Sequence, residues 1–189
     1  ELLLKNGFIE KKIAILGGST TSEITKILEL FLLNNGIKPN FYESEYNRYY
    51  EDAIFNEEAL AKFNPDIVYI HTTNVNIQKF PDISSSNEDV EILINSEIDK
   101  FKSIWKAISL HNCDIIQNNF DLPFERELGN LDCYDIHGKT YFINRLNSEF
   151  SKAAREIKNL YLNDINYLSS YLGLKNWFDK SLWYQAKYA

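Results

Sequence analysis

Lys12-Ile13-Ala14-Ile15-Leu16-Gly17-Gly18-Ser19-Thr20-Thr21 is the stretch that decides the fold. Its unbroken apolar run from Ile13 to Leu16 is the pattern of a strand covered on both faces, as in a parallel sheet, and the two glycines turn the chain sharply. A helix follows. Thr20 is placed to cap its amides, with Glu23 three residues on in capping-box spacing. Ile24, Ile27, Leu28, Phe31 and Leu32 then recur at helical period until Gly36 stops the helix. Ser19 therefore stands at a strand exit beside the free amides of a helix N-terminus, where an open α/β sheet places its ligand site.

Outward from this unit, the spacing predicts a second strand at 38–43, with Pro39 at its start, and then an aromatic stretch at 45–55 and a short helix at 57–63. A third strand at 67–71 leads into a polar loop over 72–87 that holds Pro81 and three successive serines, long enough to suggest function. Three- and four-residue steps through Val90, Ile94, Ile98, Phe101, Trp105 and Ile108 give a long helix at 89–110. Beyond it come a fourth strand at 114–118, a long connection at 119–135, and a helix through Phe142, Leu146, Phe150 and Ala154. A fifth strand at 160–162 and a helix at 164–172 close the pattern. Five strands alternating with helices predict a three-layer α/β/α sandwich with a mainly parallel, doubly wound sheet over residues 1–176. Residues 177–189 form an aromatic C-terminal segment expected to pack back onto this domain.

A composition of 44% hydrophobic and 25% charged residues is that of an ordinary globular protein. The formal charge of -7, without a run of Lys or Arg, argues against nucleic-acid or anionic-membrane partners, which require clustered cations. Cys113 and Cys133 lack the spacing of a zinc site, and no metal is expected here. No signal peptide or membrane span is legible, so the expected location is cytoplasmic. The chain has no Met, and both ends read as structured sequence, which suggests a piece of a longer polypeptide.

In a sheet of this kind the residues past each strand converge: Gly17-Gly18-Ser19-Thr20, Glu43-Ser44, His71-Thr72-Thr73-Asn74, Gln117-Asn118-Asn119 and Asn163-Asp164. The set is rich in hydroxyls and amides, and His71 is its only imidazole. Each candidate has two readings. Ser19 is a nucleophile, or a turn hydroxyl that caps the helix or holds an anion with the adjacent amides, Gly18 and Thr20 lying on either side of it. His71 is a displaced base, or a hydrogen-bonded structural residue. Thr73, Asn74, Asn118 and Asn119 cradle a substrate oxygen, or simply make turns. Arg126 and Arg145 grip an anion, or pair with neighbouring glutamates such as Glu125, Glu127 and Glu149. Trp177, Trp183 and Tyr184 suit an interdomain face.

The strand–Gly-x-Ser–helix opening, with Asn74 after the third strand, resembles the SGNH hydrolases, in which Ser19 would be the nucleophile and Asn74 an oxyanion donor. Several positions depart from that pattern. Gly17-Gly18-Ser19 stands for Gly-Asp-Ser, no glycine occurs between Gly36 and Gly129, and the closing Asp-x-x-His would fall on Asp179-Lys180-Ser181-Leu182. With a leucine at the base position, Ser19 is expected to lack a group that deprotonates it.

A resemblance covering nearly the whole chain is to the N-terminal region of FkbH-like proteins, of haloacid-dehalogenase superfamily subfamily IIIC. It rests on Ile-Leu-Gly-Gly-Ser-Thr-Thr at 15–21, Phe-Tyr-Glu-Ser-Glu-Tyr-Asn at 41–47, Ile-Gln-Asn-Asn-Phe at 116–120, Arg-Glu-Leu-Gly-Asn at 126–130 and the closing Trp-Phe-Asp…Trp-Tyr…Lys-Tyr. It implies an SGNH/flavodoxin-like fold and a following phosphatase-type domain that carries any Mg. It also implies a role in handling glyceryl units derived from phosphoglycerate on an acyl carrier protein, or in polyketide or surface-polysaccharide assembly. The expected function is a non-hydrolytic accessory domain. The alternative is a diverged serine esterase or acyltransferase using Ser19.

Overall fold

The computed structural model describes residues 7–188; the outer ends of the two expected segments, at 1–6 and 189, lie outside the described residues. The elements run β1 (Ile9–Gly17), α1 (Ser22–Asn34), β2 (Ile37–Glu43), α2 (Tyr49–Ile54), α3 (Glu57–Phe63), β3 (Ile67–His71) and α4 (Asn87–Ser109). After them come β4 (Asp114–Asn118), α5 (Lys139–Glu156), β5 (Leu160–Asn163), α6 (Ile165–Leu172), α7 (Leu174–Trp177) and α8 (Lys180–Ala186). The strand order is β2-β1-β3-β4-β5. Among the described residues the four pairings are all parallel, in keeping with the expected mainly parallel sheet.

Alternate residues of each strand face opposite sides, and the two sides are packed differently. Ala14, Leu16, Val68, Ile70, Ile115 and Leu160 face a continuous core supplied by helices α2 to α5. At its centre the Phe101 ring lies 4.9 Å from Phe150 and 5.7 Å from Phe120. Helix α4 is fixed at its start by a reciprocal cap. The Ser86 hydroxyl accepts from the Asp89 N–H at 3.1 Å, and the Ser86 N–H donates to the Asp89 carboxylate at 2.9 Å. The opposite side is thinner. There Ile13, Ile67, Tyr69, Ile116 and Tyr161 line an open groove of about 640 Å³ with Ile24, Leu28 and Leu32 of α1.

The start of α1 departs from expectation. Thr21, not Thr20, is the N-cap and makes no side-chain cap bond, while Glu23 pairs with Lys26 instead of closing a capping box. The Thr20 hydroxyl is drawn off by a distant partner, the Ala186 carbonyl, at 2.7 Å. The helix end is as expected, with Gly36 at φ +76° just beyond it. Pro39 is tolerated because β2 is an edge strand.

Candidate functional site

The turn after β1 is built on close approach. A Cβ at Gly17 would lie 2.7 Å from the Thr21 side chain, and one at Gly18 would lie 2.6 Å from the Asn76 side chain. The Gly17 N–H donates to the Ser44 hydroxyl at 2.8 Å and the Gly18 N–H donates to the His71 carbonyl at 2.8 Å. Asn76 acts as a strut between the exits of β1 and β3. Its Nδ2 donates to the Gly18 carbonyl at 2.7 Å, and its Oδ1 accepts from the Thr73 N–H at 2.9 Å.

This scaffold brings Ser19 and His71 together. The Ser19 Oγ lies 3.1 Å from His71 Nδ1, across 52 residues of sequence. The expectation that Ser19 has no base within reach is therefore corrected. The family spacing pointed to Leu182, whereas the imidazole comes from the end of β3, next to β1 in the sheet. Burial pushes the His71 imidazole down to about 4, so it is neutral at neutral pH. With Nδ1 as acceptor, the serine hydroxyl donates to it and the ring proton sits on Nε2. No carboxylate contributes to the His71 environment among the described residues. Ser19 itself is only 2% exposed, which limits direct attack on a substrate.

The register carries the site across to Asn118. Ile70 pairs with Gln117, so His71 and Asn118 are neighbours one step further along the strands. Asn118 is fully buried; its Oδ1 accepts from the Tyr69 hydroxyl at 3.0 Å and from Asn163 Nδ2 at 2.8 Å. Its Nδ2, and the buried Thr73 hydroxyl, have no hydrogen-bond partner among the described residues. Buried polar atoms left unpaired are uncommon in folded proteins; Asp132 Oδ1, Thr140 Oγ1 and Asn166 Oδ1 share the condition among the described residues, and what distinguishes Asn118 is its place one strand over from His71. Tyr69 packs its ring edge-on to His71 at 5.7 Å.

Other candidates serve the fold. Asn119 braces the start of α6, whose N-cap is Asp164: its Nδ2 donates to Asp164 at 2.7 Å and its Oδ1 accepts from the Asn166 N–H at 3.1 Å. Arg145 makes a bidentate pair with Glu91 of α4 at 2.8 and 3.0 Å, a partner different from the nearby glutamates. Arg126 is exposed in the 119–135 connection. Asn74 makes no hydrogen bond to Ser19 among the described residues. Its N–H donates to Asp121 at 2.8 Å, and it lines a cleft of about 190 Å³ with Leu122, Phe124, Lys175 and Phe178.

Asp121, which sequence reading passed over, ties the C-terminal segment down. It is 1% exposed, and its second oxygen accepts from the Trp177 indole N–H at 2.9 Å. Burial pushes its carboxyl up, and the bonds from Asn74 and Trp177 oppose that shift. The segment then reaches the first turn: the Thr20 N–H donates to the Lys187 carbonyl at 2.9 Å, beside the hydroxyl bond to Ala186. Trp183 lies 6.3 Å from Phe178 and under the Lys187 ammonium, while Tyr184 is largely exposed. The edge as a whole gathers hydroxyl and amide groups around one serine–imidazole pair, an arrangement suited to holding a carbonyl, carboxylate or phosphoryl oxygen.

A sequence model of the family described as FkbH, N-terminal domain, matches residues 12–189. Comparison with curated proteins finds no match. Among solved structures, the chain is similar to the N-terminal part of the protein BF1531 from Bacteroides fragilis, which contains a phosphatase domain and was solved with Mg. The TM-score is 0.82 at 16% identity, covering 96% of this chain and 47% of that one. The chain thus spans about half the length of that structure. It is also similar to TesA, with a TM-score of 0.56 at 10% identity over 90% of this chain and 86% of that one. A putative acylhydrolase, BF3764 from Bacteroides fragilis, gives 0.50 at 11% identity over 88% and 74%. At these identities the likeness is one of fold: a five-stranded parallel α/β sheet of the SGNH type.

Proposed function

The chain belongs to the FkbH N-terminal domain family, and from that membership we propose that it is a non-hydrolytic accessory domain of an FkbH-like multidomain protein. Its strand-end edge helps bind a carrier protein or a phosphoglycerate-derived glyceryl group in polyketide or surface-polysaccharide assembly. What supports this reading above all is the course of the C-terminal segment. Trp177 is anchored on Asp121, and residues 186 and 187 lie on Thr20, so a domain continuing from this end begins next to Ser19. BF1531 carries a phosphatase domain in the same chain as this fold, in keeping with such a neighbour. Trp183 and Tyr184 then belong to the face between the two domains. Magnesium belongs in the following domain: this edge presents hydroxyls and amides, and its buried carboxylate, Asp121, already accepts two hydrogen bonds, whereas a hard cation calls for several free oxygen ligands.

On this reading Ser19, Thr73 and Asn118 hold the ligand's oxygen atoms and His71 stays a neutral partner of the serine. Calorimetric titration with 3-phosphoglycerate and with a glyceryl-loaded carrier protein tests it. Saturable binding that weakens at least tenfold in Asn118→Ala is the expected result. Turnover of a short-chain ester by the intact chain, abolished in Ser19→Ala, overturns it.

One observation favours a second reading, a serine esterase or acyltransferase: the 3.1 Å approach of Ser19 Oγ to His71 Nδ1. In that chemistry Oγ bonds to the acyl carbon, His71 Nδ1 takes the hydroxyl proton, and the leaving group departs with that proton. It ranks second for a physical reason. An imidazole pushed down to about 4, with no carboxylate to hold its charged form, is a weak base.

A further inference from the structure

The Thr20 amide and hydroxyl follow Ser19 directly in the chain, one residue ahead of the α1 N-cap Thr21, and both are occupied by the chain's own main-chain carbonyls. Ala186 and Lys187 thus stand where an acceptor oxygen of a ligand would sit, and they bring the negative end of α8 to the positive end of α1. The buried Asn118 amide, unpaired among the described residues and one strand over from His71, supplies a further donor on the same edge. Three donors around a buried hydroxyl select an acceptor-rich group, a carboxylate, acyl or phosphoryl oxygen.

The segment that covers this corner is held lightly. Neither α7 nor α8 has a buried residue, whereas α4 buries Val90, Ile94, Glu97, Ile98, Phe101, Ile104, Trp105 and Ile108. Among the described residues its hydrogen bonds to the body of the domain are the Trp177 indole on Asp121 and the two carbonyls on Thr20, and Phe178 and Lys175 line a cleft with Leu122 and Phe124. It departs from α6 through Gly173 at φ +87°, a conformation open to glycine and a natural pivot. A segment with few buried contacts and exposed hydrogen bonds opens at far lower cost than the core.

We propose that residues 174–187 form a displaceable lid: their carbonyls at 186 and 187 occupy the Thr20 donors in the closed state, and an acceptor-rich ligand reaches Ser19 by displacing them. The proposal rests on the reading of the strand-end edge as a binding site and adds its regulation. Because the lid leads toward whatever follows residue 189, movement of a following domain would open or close the site.

Three forms are compared: the intact chain, Trp177→Phe, which drops the indole bond, and a chain ending at Asn176, which removes the two carbonyls. Hydrogen exchange reads the Thr20 amide against the α4 amides. Titration with 3-phosphoglycerate reads binding, and a small fluorophosphonate reads access to Ser19. In that last reaction the Oγ–P bond forms, the P–F bond breaks, fluoride leaves and the hydroxyl proton passes to His71 Nδ1.

The lid predicts Thr20 exchange at least tenfold faster in both variants with α4 unchanged. It also predicts 3-phosphoglycerate binding tightened, or Ser19 modified faster, by about tenfold, the modification vanishing in Ser19→Ala. Equal binding and equal modification in all three forms overturn the lid and leave the binding site standing. Neither binding nor modification in the shortened chain, with α4 still protected, sinks the site itself and the lid with it. Loss of α4 protection in the shortened chain, together with unchanged Thr20 exchange in Trp177→Phe, makes the segment an integral part of the fold and overturns the lid.

Discussion

The packed face of the sheet and its strand-end edge obey different rules. Around Phe101, Trp105 and Phe150 the side chains are fully buried and mutually packed, and even the polar Gln117 is satisfied by Trp105, Thr72 and the Asn118 carbonyl. At the edge, burial is as deep but pairing is incomplete: Asn118 Nδ2 and the Thr73 hydroxyl lack partners among the described residues. The first region is explained by packing alone. The second leaves buried polar atoms unpaired next to a serine–imidazole contact, whereas the other unpaired atoms among the described residues, on Asp132, Thr140 and Asn166, have no such neighbour pair.

Phe101→Ala probes the packed face and carries the largest expected effect. It removes the ring at the centre of the aromatic cluster and should cost about 3–5 kcal/mol in a denaturant titration, with Thr20 amide exchange still slower than that of exposed amides. A loss under 1 kcal/mol would erase the contrast between the two regions.

The pH dependence of stability probes the edge. His71 is held below its unfolded value by burial, so the unfolded chain binds the proton first as pH falls. The stability it contributes is present above its ordinary value of about 6.5 and is lost as pH falls toward about 4. The window is worth on the order of 3 kcal/mol for a shift from about 6.5 to about 4, and His71→Gln should remove that slope. An unchanged slope in the variant would mean that the imidazole is not the titrating group.

Gly18→Ala sharpens the same contrast at one backbone position. The new methyl meets the Asn76 side chain at 2.6 Å, so a cost of about 1–3 kcal/mol is expected. In an Asn76→Ala background the clash is gone, and the two effects should fail to add, a coupling that a double-mutant cycle measures. Additive costs would show that Asn76 is no strut.

Arg145→Ala should have the smallest effect. Its pair with Glu91 is partly exposed, and such pairs are worth about 0–1 kcal/mol. A loss of ligand affinity in this variant, with stability unchanged, would return Arg145 to the binding site.

Much of the fold was legible because local patterns carried it. The strands at 67–71 and 114–118 and the helix at 57–63 fall where apolar runs and breakers put them, and α4 follows its three- and four-residue steps to within two residues. The Thr20 cap misled for a definite reason. Capping-box spacing describes what a hydroxyl can reach locally, and here a carbonyl 166 residues away competes for it. Asn119 and Arg145 misled similarly: an amide after a strand and an arginine on a helix look alike whether they meet a ligand, Asp164 or Glu91. Asn76 and Asp121 left only faint signals, an Asn-x-Asn after β3 and an acid after Asn-Asn-Phe.

By itself the sequence determined that strands and helices alternate, that Ser19 stands at a strand exit and that the chain closes in an aromatic segment, because backbone propensity and hydrophobic period are properties of neighbouring residues. Only the tertiary structure decided that Ser19 meets His71, that the Asn118 amide has no partner among the described residues and that residues 186 and 187 lie on Thr20. Those facts depend on which strands lie side by side and on where the last helix returns, and pairing across 52 or 166 residues leaves no periodic trace in the chain.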